Sequence, residues 1–160
     1  MTYDDLWKLR LAVLSTLVAR APQKPGRTAM MKFAYLLQTV RCVPLGYRFR
    51  LHNYGPYDST VIGDLSQAET FNAVKAVPAG GGYRYSSVKK GHAEVCKDAA
   101  SGLAAASDSI EWVLREFGME SAADLELIST IIYADREKHR SAEALCKIVC
   151  HNICVLISAM

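Results

Sequence analysis

From Met30 to Gln38 the chain reads Met-Met-Lys-Phe-Ala-Tyr-Leu-Leu-Gln, and at helical spacing this segment is apolar over most of its circumference. Met31, Ala34, Tyr35 and Gln38 share one side, with Met30, Phe33 and Leu37 beside them. A surface helix carries one apolar stripe, whereas a broader apolar surface needs cover from several directions. The segment therefore predicts a central, largely buried helix over about 28–40, with Thr28 as its N-cap.

The flanking pattern says what covers it. Residues 3–20 predict a helix on the stripe Leu6, Leu9, Val13, Leu14, Leu17 and Val18, ended by Ala-Pro-Gln-Lys-Pro-Gly at 21–26. Residues 47–52 alternate, the period of a half-buried strand with Tyr47, Phe49 and Leu51 inward and Arg48, Arg50 and His52 outward. Gly55-Pro56 predicts a turn, and Asp58 or Ser59 caps a short helix to about residue 67, with Val61, Ile62 and Leu65 inward. Residues 72–86, with glycines at 80–82, predict a β-hairpin. The remainder predicts helices over about 86–106, 107–117 and 121–138, the last on Leu125, Ile128, Ile131 and Ile132. A final helix from about Ser141 is apolar on nearly every side, suiting an internal helix or a symmetric homodimer contact.

This order predicts an α+β fold. A winged-helix-like part over 1–87 packs against a helical part over 88–160, all within one domain spanning 1–160. The length of 160 residues suits a single domain, and 51% apolar content suits a packed core. No apolar run approaches the ~20 residues needed to span a bilayer, so no membrane partner is expected. The N-terminal sequence lacks a signal pattern, and the five cysteines include no Cys-x-x-Cys pair. The expected location is a reducing cytoplasm. Residues 1–100 carry 14 Lys and Arg against 7 Asp and Glu, while residues 101–160 carry 5 against 9. The basic front half either meets an anionic partner or attracts the acidic rear.

Several segments resemble a known family. Met31-Lys32-Phe33-Ala34-Tyr35-Leu36-Leu37, the Phe49 and Asn53-Tyr54-Gly55-Pro56-Tyr57-Asp58-Ser59 segment, and Tyr83 to Gly91 are similar to the second helix, the "YGPYS" piece and the helix entry of Panacea-domain proteins. These are SocA-like antitoxins and their uncharacterised prokaryotic relatives. Asp58 stands where serine is usual, with Ser59 one place later. The resemblance implies a winged-helix-like scaffold that neutralises a toxin or delivers a target to a protease. It carries no catalytic residues.

The favoured function is therefore a non-catalytic protein-interaction module presenting Arg48, Arg50, Tyr54, Tyr57, Asp58 and Asp64 to another protein. Tyrosine beside arginine is the chemistry of interface anchors. The alternative is a winged-helix DNA-binding regulator using Arg48, Arg50, Lys75 and Arg84. Asp58, Asp64 and Glu69 weigh against it, because carboxylates on the third helix would meet a polyanion. No cofactor is expected. His92 with Cys96, and Cys146 with Cys150, have i, i+4 spacing, but this is not a recognised zinc pattern and no metal site is expected. No GxGxxG or phosphate loop occurs, and no enzymatic activity is expected.

Overall fold

A computed structural model describes residues 2–80 and 82–138. The fold is α+β: among the described residues there are six helices and two separate two-stranded antiparallel sheets. In chain order they are α1 (Tyr3–Arg20), α2 (Arg27–Thr39), β1 (Arg50–His52), β2 (Gly55–Tyr57), α3 (Ser59–Thr70), β3 (Val74–Ala79), β4 (Gly82–Ser87), α4 (Lys89–Asp98), α5 (Ala100–Phe117) and α6 (Ala122–Lys138).

α2 is the central helix. Every residue from Met30 to Leu37 is buried, and α1, α3, α5 and α6 all pack on it. Its N-cap is Gly26, not Thr28, and no side chain caps its first turn. The cause lies in the β3–β4 hairpin. Tyr85 N–H donates to Pro25 O at 2.9 Å, and Gly26 bridges to Arg84. The connector is thus held extended as far as Gly26, and the helix starts at once.

α1 begins with a capping box between Thr2 and Asp5. It is buried without interruption from Leu9 to Val18, since α3, α4 and α5 all pack on it. Residues 47–52 keep the expected alternation of burial, but ladder pairing begins only at Arg50. Tyr47 is bonded instead by the Gln38 side chain, which accepts from Tyr47 N–H at 2.8 Å and donates to Tyr47 O at 2.9 Å. The turn is also displaced. Asn53 and Tyr54 form the tip, while Gly55 and Pro56 pair in β2 opposite His52 and Leu51. Proline is tolerated there because both strands are edge strands.

The helical part breaks at Ala99 rather than near Ser107. α4 and α5 both pack on α1, so the chain must reverse between them. Ser107 and Asp108, at the expected start of a new helix, lie inside α5. On α6, Leu125 is fully buried and Ile128 and Ile132 are half-buried, but Ile131 faces solvent. Arg20 Nη1 lies 3.1 Å from Glu111 Oε1, so the basic front half meets the acidic rear at an exposed ion pair. Pairs of this kind add little stability. The expected helix from Ser141 lies outside the described residues. Among those described, no helix is long and apolar enough to cross a membrane.

Candidate functional site: the tyrosine hairpin over a buried lysine

Three of the six expected interaction residues, Arg50, Tyr54 and Tyr57, lie on the β1–β2 hairpin, with Arg48 just before it. Arg48 and Arg50 are exposed, and Tyr54 and Tyr57 are 50% and 39% exposed. Antiparallel pairing sets Arg50 beside Tyr57, and the His52 and Tyr57 rings lie 5.3 Å apart. Such a short hairpin is marginal in isolation, so its order must come from what lies beneath it.

Beneath it lies Lys32, only 2% exposed although it carries an amine. Its Nζ donates to Tyr54 O at 2.5 Å and to Pro56 O at 2.9 Å, clamping both sides of Gly55. Burial pulls its pKa down to about 8, against the attraction of Glu126. Glu126 is itself buried on α6, and burial raises its carboxyl above the usual range while Lys32 opposes the rise. Gly55 completes the seat. Its φ of +83° is left-handed, and a Cβ there would stand 2.7 Å from Thr130 Oγ1 and 3.3 Å from Lys32 Nζ. Only glycine lets the hairpin settle this closely on α6 and Lys32.

Asp58 serves as the N-cap of α3. One carboxylate oxygen accepts from Thr60 N–H at 2.8 Å and the other from Arg48 N–H at 2.5 Å. Burial works to raise its pKa, but these N–H groups hold it below the usual value. It is half-exposed and joins the segment before β1 to the start of α3.

Asp64 does not belong to the presented set. It is 5% exposed and accepts from Tyr47 Oη at 2.9 Å. Burial raises its carboxyl, with the Tyr47 hydrogen bond and Arg10 pulling the other way. Arg10 is buried too, donating to Leu45 O and Gly46 O at 2.6 and 2.9 Å, with its guanidinium 4.6 Å from the centre of the Tyr47 ring. Glu69 is likewise engaged, accepting from Ala76 N–H at 2.7 Å. The outward face of α3 is therefore neutral: Ser59, Thr60, Gly63, Ser66, Gln67 and Thr70. The acidic helix face expected from the sequence is absent.

Lys75 and Arg84 are exposed on the other sheet. The register pairs Val77 with Arg84 and Lys75 with Ser86, so both cations project from one face of that hairpin, while Val74 and Tyr85 on the opposite face are buried. The four cations considered for DNA binding thus divide between two hairpins.

His92 and Cys96 do meet, with Sγ 3.5 Å from Nδ1, and Nδ1 lies 3.1 Å from Ser15 Oγ. Burial lowers the His92 pKa. Cys146, Cys150 and Cys154 lie outside the described residues. Among those described, no group of three or more His, Cys, Asp or Glu side chains is placed to hold a metal ion.

Lys32 and Glu126 escape the sequence reading. The available signal was a single lysine inside an otherwise apolar, fully covered helix, where an amine must find acceptors. Comparison of the chain with protein-family profiles and with curated proteins gives no match.

Proposed function

We propose that this chain is a non-catalytic protein-interaction module of the antitoxin or adaptor kind, acting by occluding or delivering its partner. Tyr54 and Tyr57 would be the anchors, with Arg48 and Arg50 beside them. The observation that carries the reading is the mounting of this pair. Two exposed tyrosines sit on a hairpin fixed from below by Lys32 and Gly55. Aromatic anchors ordered before binding lose little entropy on association. The resemblance to Panacea-domain proteins in the same Tyr-Gly-Pro-Tyr segment supports the same reading. The test is affinity capture of tagged protein from nuclease-treated lysate of its host. One near-stoichiometric protein, lost with Tyr54→Ala or Tyr57→Ala, is the expected result. Capture unchanged by both substitutions would refute it.

A second reading, a winged-helix DNA-binding regulator, is favoured by one observation. The outward face of α3 is neutral and hydrogen-bonding, because Asp64 is turned inward and Glu69 is engaged. Duplex DNA binding that weakens steeply between two salt concentrations, and further on Lys75→Ala or Arg84→Ala, would support it. Absence of binding at low salt would dismiss it.

A further inference from the structure

Between the hairpin, the first turns of α2, and α6 lies a cleft of about 510 Å³. Its volume is that of a small-molecule site rather than a packing defect. Lys32 and Glu126 line its interior, and Arg27 stands at the first position of α2 on its wall. Arg27 is exposed and pairs with no carboxylate among the described residues. Two of the three Lys32 ammonium hydrogens are taken by Tyr54 O and Pro56 O, which leaves one. The rest of the lining joins aromatic and apolar groups, Tyr54, Met31, Ile62 and the tilted His52–Tyr57 ring pair, to Gly55 and the polar side chains of Thr28 and Asn53. The first turn of α2, open to the same cleft, has no side-chain cap and adds partial positive charge.

These features select a ligand class. Arg27 and Lys32 set against Glu126 leave an excess of one positive charge, which matches a monoanion. A dianion such as phosphate, together with Glu126, would set three negative charges against the two cations. The aromatic walls suit a flat ring. We propose that this cleft binds a monocarboxylate carried on an aromatic body, with the carboxylate towards Arg27 and Lys32 and the ring lying against Tyr54 and the His52–Tyr57 pair. The same chemistry is offered by a free aromatic acid and by the C-terminal aromatic residue of a peptide. The proposal does not rest on the interaction reading, but both use Tyr54 and Tyr57, so an occupant here would compete with a partner docked on those anchors.

The test is titration of the full ¹⁵N-labelled chain, followed by backbone amide shifts, with 4-hydroxyphenylacetate and with its neutral amide. The expected result is saturable shifts at Arg27, Lys32 and residues 52–57 with the acid, and binding at least about tenfold weaker with the amide. N-acetyl-glycyl-glycyl-phenylalanine as the free acid distinguishes the sources. Tighter binding than the small acid assigns the cleft to a peptide C-terminus, and weaker binding assigns it to a free acid. Arg27→Gln leaves the buried cluster untouched and should weaken the acid several-fold. Lys32→Met should abolish binding in protein shown to be folded by its spectrum. Equal binding of acid and amide, shifts confined to another surface, no saturable shift with either acid, or an Arg27→Gln variant that binds as well as the parent would each overturn the proposal.

Discussion

The phenol of Tyr47 donates a 2.9 Å hydrogen bond to Oδ2 of Asp64, joining the segment after α2 to the inner face of α3. Both residues are buried, and the Arg10 guanidinium lies over the phenol ring. Removing the hydroxyl leaves a buried carboxylate short of a donor. Tyr47→Phe should therefore lose about 1–3 kcal/mol in urea denaturation, and unchanged stability would show that water replaces the hydroxyl.

The same carboxylate makes a pH prediction. Burial holds the Asp64 carboxyl above its usual value of 3.8. A raised acid favours the folded state while protonated, and that contribution is lost as pH climbs through the folded pKa. Ionised Asp64 is thus a cost at neutral pH. Asp64→Asn, which keeps an acceptor for Tyr47, should gain on the parent as pH rises from about 3 to 7. Denaturation midpoints of the two proteins across that range check it, and a constant gap would contradict it.

Lys32 has the opposite sign. Its pKa falls to about 8 from 10.5, so folding gains from this group above 10.5 and loses that gain as pH drops through about 8. At neutral pH burial of the charged amine opposes folding, while its two carbonyl hydrogen bonds tie down both sides of Gly55, so the effect of Lys32 falls most directly on hairpin order. Between about pH 8 and 10 the parent should gain stability relative to Lys32→Met. Hydrogen exchange across 50–57 should be faster in the variant. Parallel stability curves and unchanged exchange would contradict the clamp.

Gly91 permits close packing of α4. A Cβ there would stand 2.2 Å from Asn72 O and 2.5 Å from Phe71 O. Alanine improves helix propensity by about 1 kcal/mol, but it cannot enter without shifting α4 off the turn after α3. Gly91→Ala should destabilise by about 1–3 kcal/mol net, read as a lower melting temperature. A higher one would mean that α4 yields freely.

The hairpin surface should separate from its seat. Tyr54→Ala removes an exposed side chain and should change stability by less than about 0.5 kcal/mol. Gly55→Ala, one residue on, meets Thr130 at 2.7 Å in a left-handed conformation and should cost more than about 1 kcal/mol. Equal melting temperatures for the two variants would argue that the hairpin is not seated on α6.

Much of this was written in local pattern. The period of residues 3–20 and the all-round apolar surface of Met30–Leu37 specified α1 and a central α2, because periodicity reports how many faces must be covered. Alternation over 47–52 reported the right faces even where no ladder forms. Asp64 was legible too. It lies three residues after Val61 and four before Ala68, on the stripe that α3 buries. Acidity made it look like a surface residue, and its place on the stripe was the better guide.

The sequence by itself determined the order of the helices, the β3–β4 hairpin and the exposure of Tyr54 and Tyr57, since these follow from spacing, turn residues and capping. Tertiary structure alone decided that Lys32 lies under the Tyr-Gly-Pro-Tyr segment, that Glu126 on α6 faces it, that Asp64 meets Tyr47, and that the chain reverses at Ala99. Each of these depends on which groups from distant segments share one desolvated space. Hydrogen-bond partners and the cost of burying charge are fixed there by packing, and no local pattern encodes them.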